Sequence, residues 1–142
     1  MKTIKLFLNE HPREVSSVSP GDTVIDALRL MSHKNIGAVT VMRSDQLVGI
    51  MSERDYARKV VLMGKNSADA RVSEIMTEKV ITVSVDYKID ECMRIMSEQH
   101  IRHLPILAQN KLVGIISIRD VVKEMIKTQQ MLIEDLQKYI SG

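Results

Sequence analysis

The sequence predicts an α/β (α+β) fold of two pseudo-symmetric β-α-β-β-α repeats, packed sheet to sheet, with an extended C-terminal helix. The first observation is an internal repeat: at an offset of 65 residues, segment 18–56 lies on segment 83–121 without a gap. Thirteen of these 39 aligned positions are identical by count, whereas ordinary composition gives about two or three. The second observation is that one order of apolar patterns recurs in both copies, which is the signature of a duplicated unit. The third is that the last pattern continues past the end of the second copy.

Each copy opens with a strand and a helix. A short β-branched run comes first, at 15–18 and at 80–83, and predicts a strand. The apolar residues that follow are spaced i, i+3, i+4, i+7, which places them on one face of a helix. They are Val24, Ala27, Leu28 and Met31 in copy one, and Ile89, Cys92, Met93 and Met96 in copy two. Thr23, with Asp26 three residues later, predicts a capping box at the start of the first helix.

A hairpin and a second helix complete each copy. Four polar positions separate each pair of apolar runs, which predicts a hairpin. The runs are 39–42 and 47–51 in copy one, and 104–107 and 112–116 in copy two. The second helix is predicted to begin at Ser52 or Ser117, and the first of these to end near Gly64. The last helix is predicted to reach about Ile140, with an apolar stripe at Val122, Met125, Ile126, Leu132, Ile133, Leu136 and Ile140.

The two copies are predicted to form one module, because each half is too small to bury its own sheet well. The polar, aperiodic stretch 65–70 is the best linker candidate. The predicted organisation is an N-terminal segment, repeat one, a linker, repeat two and a helical extension, with boundaries at 1–12, 13–64, 65–77, 78–126 and 127–142.

Composition excludes several functional classes. The 142 residues carry 20 basic and 18 acidic side chains, for a net charge of +2. There is no block of like charges and no Trp, which argues against a nucleic-acid surface. No apolar run is long enough for a membrane span. Cys92 is the single cysteine, and we expect it to be a packed core thiol. We therefore expect a cytoplasmic protein that contacts neither nucleic acid nor membrane.

The sequence gives no sign of catalysis or of a metal centre. No nucleophile has an adjacent base, and no two carboxylates are set in opposition, so we expect a protein that is not an enzyme. His100 and His103 are three positions apart, but no cysteine or carboxylate completes a ligand set. We therefore expect no metal site.

The junction between each hairpin and its second helix carries the same motif. The motif is Gly-hydrophobic-x-Ser-x-x-Asp, at 49–55 and again at 114–120. With Arg102-His103-Leu104-Pro105 and the VSEIMT segment at 72–77, it resembles the CBS domain family over about residues 13–125. The similarity is to the small stand-alone bacterial and archaeal type, in which a CBS pair forms the whole protein. The resemblance implies an adenine nucleotide such as AMP, ADP, ATP or NAD(H) bound in clefts between the repeats.

The motif residues suit a nucleotide chemically. A helix N-terminus favours phosphate, Ser52 and Ser117 add hydroxyls, and a guanidinium fork matches phosphate geometry. Asp55 and Asp120, which we expect at the surface, are able to accept two hydrogen bonds from a ribose diol. Glycine lets a ligand approach closely. The remaining candidates are the guanidinium groups Arg54 and Arg119, the glycines Gly49 and Gly114, and the adenine-side residues Val15, Ser16, Val80 and Ile81.

Two alternatives stay open at these positions. Serine followed three residues later by an acidic residue is also an ordinary helix start. The resemblance further implies phosphate contacts from Arg102 and His103, and the alternative for Arg102 is a surface salt bridge. Repeat one has Gly37 and Ala38 at the equivalent positions, so we expect the two sites to differ in affinity.

The functional hypothesis is a regulatory protein that senses an adenine nucleotide, AMP first, and modulates a partner protein. The ribose and first phosphate are common to AMP, ATP and NAD(H), so the sequence does not separate them. The alternative is a ligand-free structural or protein-interaction module. The apolar stripe on the last helix predicts a homodimer.

Overall fold

The computed structural model describes residues 1–141 and divides them into two units. The repeat-one unit comprises Glu14–Ile81 and Asn110–Leu112, and the repeat-two unit comprises Met1–Arg13, Thr82–Gln109 and the chain from Val113 onward. The elements in chain order are α1 (Ile4–Glu10), β1 (Ser17–Val18), α2 (Val24–Lys34), β2 (Ala38–Arg43), β3 (Gln46–Ser52), α3 (Glu53–Tyr56), a π-helical segment (Ala57–Val61), α4 (Val72–Ile75), β4 (Val83–Ser84), α5 (Ile89–Gln99), β5 (His103–Ala108), β6 (Lys111–Ser117) and α6 (Ile118–Ser141).

The two sheets have the same topology, which confirms the duplicated α/β fold. One sheet has the order β1-β2-β3 and the other β4-β5-β6. The first strand of each pairs in parallel with the second, and β2 pairs with β3 antiparallel. The predicted strands at 15–18 and 80–83 are too long: only Ser17–Val18 and Val83–Ser84 pair. Each is an edge strand held by a two-residue register, so the residues before it remain outside the sheet.

The amphipathic helices bury the predicted face. Val24, Ala27 and Met31 are buried on α2, and Ile89, Cys92 and Met96 are buried on α5. The Thr23 hydroxyl caps α2 by accepting a hydrogen bond from the Asp26 amide at 3.2 Å, which is one of the two bonds of the predicted capping box. Cys92 is fully buried as predicted, and burial, with the nearby charges of Glu91 and Asp90, raises the pKa of its thiol to about 11.

The hairpin turns are tighter than predicted. Two residues connect each strand pair rather than four, because the flanking polar residues extend the strands. In the second hairpin Gln109 and Asn110 both have positive φ, at 51° and 63°. Two successive positive φ values match the right-handed twist of the flanking strands, which is why such turns are favoured in two-residue hairpins.

The second helices differ between the repeats. In repeat one, α3 passes after one turn into the π-helical segment Ala57–Val61, and Gly64 follows with a φ of +70° and an amide that donates to the Val61 carbonyl. This confirms the predicted end near Gly64. In repeat two, α6 continues to Ser141. No helix of the described chain has the length and apolar character of a membrane span.

The buried face of α6 is not the predicted stripe. Val121 and Glu124 are buried, whereas Val122 and Ile126 are exposed. Met125 is half-buried, so only a small part of the predicted stripe faces the core of its unit. The stripe residues from 126 onward are exposed: Ile126, Leu132, Ile133, Leu136 and Ile140.

Each unit also contains a segment that comes from outside its own repeat. Residues 3–13, which we call the N-terminal strap, lie in the repeat-two unit, where Ile4 and Phe7 are buried. Residues 71–77, which we call the internal strap, lie in the repeat-one unit, where Val72 and Ile75 are buried.

The two straps occupy equivalent places in their units. Thr3 forms a β-bridge with Lys88, and Arg71 forms one with Thr23. Lys88 and Thr23 are 65 positions apart, which is the offset of the repeat. Sequence reasoning placed these segments outside the repeats and gave no sign of this arrangement.

Candidate functional site

The two candidate junctions form the same hydrogen-bonded turn. In repeat one, the amide and hydroxyl of Ser52 donate to Asp55 Oδ2 at 3.0 and 3.1 Å, and the Asp55 amide donates to Ser52 Oγ at 3.2 Å. In repeat two, the corresponding distances between Ser117 and Asp120 are 2.9, 3.0 and 3.2 Å. Both junctions are therefore capping boxes in which the carboxylate is held through a single oxygen.

Asp55 is enclosed by its own unit. Lys59 Nζ lies 3.2 Å from Asp55 Oδ1 and also donates to the Ile75 carbonyl at 2.9 Å. The Thr77 hydroxyl lies 3.5 Å from the same Oδ1. Only 15% of the Asp55 side chain is exposed, so the expectation of a surface carboxylate was wrong. Lys59 was missed by the sequence reasoning, although its i, i+4 spacing from Asp55 was a usable signal.

Asp120 is opposed by a cation from the N-terminal strap. Arg13 Nη1 donates to Asp120 Oδ2 at 2.8 Å, and the guanidinium carbon lies 4.8 Å from the Phe7 ring centroid. The Asp120 side chain is 22% exposed, so it lies only partly at the surface where we expected it. Burial raises the pKa of Asp120, but the bonds and charge of Arg13 and the bonds from Ser117 outweigh it and leave that pKa below its usual value. The pair joins residues 107 positions apart, so no local sequence signal identified Arg13.

The carboxylates of Asp55 and Asp120 differ in the contacts of their Oδ1 atoms. Oδ1 of Asp55 faces Lys59 and Thr77. Oδ1 of Asp120 accepts no hydrogen bond from the described residues, because Arg13 and both Ser117 donors converge on Oδ2. In repeat two the helix cap and the Arg13 pair thus share one carboxylate oxygen, and 22% of the Asp120 side chain is exposed.

The motif glycines make room for the straps. A Cβ on Gly49 would lie 2.6 Å from Met76 Sδ and 3.2 Å from the Thr77 carbonyl. A Cβ on Gly114 would lie 3.4 Å from Leu8, which is an ordinary contact. Both glycines are buried, and at Gly49 the close approach expected of a ligand is made by Met76 and Thr77 of the chain itself.

In the first turns of α3 and α6, one backbone amide is already bonded to the protein itself. The Glu53 amide donates to the Gly37 carbonyl at 3.1 Å, and the Ile118 amide donates to the Arg102 carbonyl at 2.8 Å. The side chains of Arg54 and Arg119 lie on the same turns and are exposed.

The phosphate candidates of repeat two lie at the start of β5. Arg102 is exposed and His103 is half-buried. Burial is the main influence on the pKa of His103 and lowers it. Asp120 raises this pKa and Arg102 lowers it, and the result is below the usual value. His103 is therefore suited to offer an N–H group at neutral pH rather than a positive charge.

The adenine-side candidates lie just before the edge strands. Val15, Ser16, Val80 and Ile81 all belong to the repeat-one unit and are half-buried. The Ser16 carbonyl accepts a hydrogen bond from Thr40 Oγ1 at 3.3 Å. The structure thus brings Ser52 together with Asp55, and Ser117 with Asp120, Arg13 and the strap.

Comparisons with known proteins identify the fold. The CBS domain family matches residues 12–62 and 72–127. The mitochondrial CBS domain-containing protein CBSX3 of Arabidopsis thaliana is 37% identical over 126 residues, which cover 85% of this chain and 61% of that protein. This chain therefore spans less than two thirds of that relative's length.

Solved structures agree with the family match. A protein with CBS domains from Burkholderia ambifaria MC40-6 is 46% identical, with a TM-score of 0.86 over 90% of this chain and 96% of that chain. The CBS domain pair of protein MJ0100, solved with methylthioadenosine and S-adenosyl-L-methionine, has a TM-score of 0.79 over 90% of this chain and 98% of that chain. At 22% identity, that likeness shows the shared fold. With two family matches covering most of its length, this chain belongs to the CBS domain family as a tandem pair.

Proposed function

We propose that this CBS pair is a regulatory protein that binds an adenine nucleotide and modulates a partner protein. AMP is the leading ligand, with ATP and NAD(H) as alternatives, and the role is not enzymatic. The cytoplasmic location expected from the sequence is part of the same proposal.

The carboxylate of Asp120 is the observation that carries this proposal. A capping box needs one carboxylate oxygen, and both junctions use Oδ2 for it. At Asp120 the cap and the Arg13 bond converge on Oδ2, and although burial raises the pKa of this carboxyl, the bonds and charge of Arg13 and the bonds from Ser117 leave it below its usual value. An ionised, oriented and partly exposed carboxylate suits the hydroxyl donors of a ribose.

The fold likeness to the MJ0100 pair supports adenosine as the ligand class, because that structure holds two adenosine compounds. The proposal extends this ligand class to the present chain. Its two sites are proposed to differ in affinity, since Asp55 Oδ1 already faces Lys59, whereas Arg13 meets Asp120 at Oδ2.

Thermal unfolding with and without AMP tests the proposal. A ligand at a hundred times its Kd stabilises a fold by about 2.7 kcal/mol, which for a protein of this size is a shift on the order of 5 °C. Asp120→Asn keeps the shape and an acceptor for Ser117 but lacks the charge. It should weaken AMP binding at that site by about tenfold or more.

Each variant must be compared with its own melt in buffer, because Asp55 and Asp120 also hold helix caps and ion pairs. Asp55→Asn should lower affinity at the other site, and the double variant should not respond to AMP. A wild-type melt that no adenine or guanine nucleotide shifts would contradict the proposal and favour the ligand-free interaction module. Mass spectrometry of nucleotides released by denaturing the purified protein identifies the ligand.

The exposed face of α6 supports a homodimer as part of this proposal. Ile126, Ile133, Leu136 and Ile140 are each between 49% and 82% exposed. Their spacing puts them on one side of the helix, and a contiguous apolar face of this kind marks an interaction surface. We propose that a second copy of the chain covers it.

Sedimentation velocity tests the dimer. Deleting the chain from Gln129 onward should give a monomer, as should Leu136→Glu, which preserves the helix length. Lys138→Glu changes a charge off the apolar face and serves as the control. A truncated protein that remains a dimer would overturn the role of α6, and a monomeric wild type would leave this face to a different protein.

A further inference from the structure

Thr40 is a buried polar side chain beside the main chain that enters β1. Only 1% of this residue is exposed. Its hydroxyl donates to the Ser16 carbonyl at 3.3 Å and also contacts the Ser17 hydroxyl. A hydroxyl has one proton and two lone pairs, so Ser17 donates to Thr40 while Thr40 donates to Ser16. The Ser16 carbonyl is therefore held toward β2 by a side chain that lies inside the fold.

The counterpart of Thr40 in repeat two is Pro105, 65 positions later. Thr40 pairs with Ser17 in the parallel ladder of β1 and β2. In repeat two the ladder of β4 and β5 begins one position later, with Val83 and Ile106. Proline has neither an N–H group to donate to a ladder nor a hydroxyl. The pairing in repeat two therefore begins just after the proline.

The carbonyls that precede the two edge strands consequently differ in the donor available to them. Ser16 and Ile81 hold equivalent positions in the two repeats, and both are half-buried. The Ser16 carbonyl accepts a hydrogen bond from Thr40. Pro105 has no group that donates, so position 105 cannot hold the Ile81 carbonyl as position 40 holds that of Ser16.

A main-chain carbonyl at the adenine side of a site distinguishes between purine bases. A carbonyl oxygen only accepts hydrogen bonds, and the 6-amino group of adenine donates them. A 6-oxo base such as guanine presents an acceptor at the same place. A carbonyl that is already bonded to Thr40 gains less from the amino group than a carbonyl that position 105 leaves unbonded.

We propose that position 40 and its counterpart 105 decide which carbonyl reads the adenine base, and that the reader is Ile81. The proposal rests on the proposed function and adds the group that selects the base. Thr40 withholds the Ser16 carbonyl, and Pro105 leaves the Ile81 carbonyl to accept from the 6-amino group. Thr40 and Pro105 are positioning residues, because each acts through a neighbouring carbonyl.

Calorimetry with AMP and inosine monophosphate (IMP), which has a 6-oxo group in place of the amino group, tests the proposal. The wild type should prefer AMP by about tenfold, which corresponds to one hydrogen bond. Pro105→Thr should reduce this preference to about two- to threefold by weakening AMP binding alone. Thr40→Pro should increase the preference, because the Ser16 carbonyl is released. Thr40→Ser keeps the hydroxyl and should behave as the wild type.

Carbonyl-carbon NMR of the wild type tests the same assignment without a substitution. AMP should shift the Ile81 carbonyl resonance more than IMP does, because only AMP donates to it. The Ser16 carbonyl resonance should respond equally little to AMP and to IMP. This measurement, together with Pro105→Thr, remains decisive if Thr40→Pro does not fold.

The possible outcomes separate this proposal from the function on which it rests. AMP binding with an unchanged preference over IMP in Pro105→Thr overturns the role of position 105 and leaves nucleotide binding intact. A parallel loss of AMP and IMP affinity also overturns it, because a general change in the shape of the site does not depend on the 6-amino group. A Ser16 carbonyl shift with AMP as large as that of Ile81 overturns the choice of reader. If AMP binds no form of the protein, both proposals fail.

Discussion

Asp55 and Asp120 hold the same place in the same capping box, but the cations that oppose them come from different parts of the chain. Lys59 reaches Asp55 from the next helical turn, whereas Arg13 reaches Asp120 from the end of the N-terminal strap, 107 positions away. A local cation stays with its carboxylate when the surroundings move, and a distant one does not. Duplication thus preserved the turn while its electrostatic partner diverged.

The two repeats also differ at the position seven residues after Ser52 and after Ser117. Lys59 in repeat one corresponds to Glu124 in repeat two, 65 positions later. Lys59 anchors the internal strap by donating to a backbone carbonyl. Glu124 contacts His11 of the N-terminal strap at 3.1 Å and Lys2, just before the strap, at 3.0 Å, and only 4% of the Glu124 residue is exposed. One place in the fold therefore attaches a strap in both units, with opposite charges.

The largest change in the free energy of unfolding is expected from removing the side chains of Glu124 and Lys59. Glu124→Ala removes the buried carboxylate that contacts Lys2 and His11, leaves Lys2 paired with Glu10, and should lower the free energy of unfolding by about 2 kcal/mol. Lys59→Ala loses one hydrogen bond and a half-exposed ion pair, and should cost about 1 kcal/mol. Urea denaturation of both variants measures the difference. Equal losses would show that the two anchors are energetically equivalent despite their different burial.

A smaller effect is expected at the motif glycines. Gly49→Ala places a methyl group 2.6 Å from Met76 Sδ and 3.2 Å from a backbone carbonyl. This overpacking should cost about 1–2 kcal/mol. Gly114→Ala meets Leu8 at an ordinary contact distance, and its unfolding free energy should stay within about 0.5 kcal/mol of wild type. Thermal melts of the two variants, without nucleotide, make the comparison. A larger loss in Gly114→Ala would mean that the N-terminal strap is the more tightly packed of the two.

The repeat unit and its local turns could be predicted because their signals are local. The period of the apolar residues predicted α2 and α5, and Thr23 and Gly64 marked the ends of helices. The two serine-aspartate turns were visible as possible capping boxes from spacing alone. Cys92 was expected in the core because it lies on the same apolar stripe as its neighbours.

The tertiary structure alone decided which face of α6 is buried, what reaches each carboxylate and where the straps lie. The spacing of the apolar residues placed Val122 and Ile126 on one apolar face of α6. The packing of α6 buried Val121 and Glu124 instead. An apolar stripe has the same period whether a core or a second surface covers it. The Arg13–Asp120 pair and the strap around Phe7 join residues about a hundred positions apart, and such pairs leave no periodic trace in one sequence. The sequence by itself therefore determined the repeating unit and its turns, whereas long-range packing determined the partners of the site.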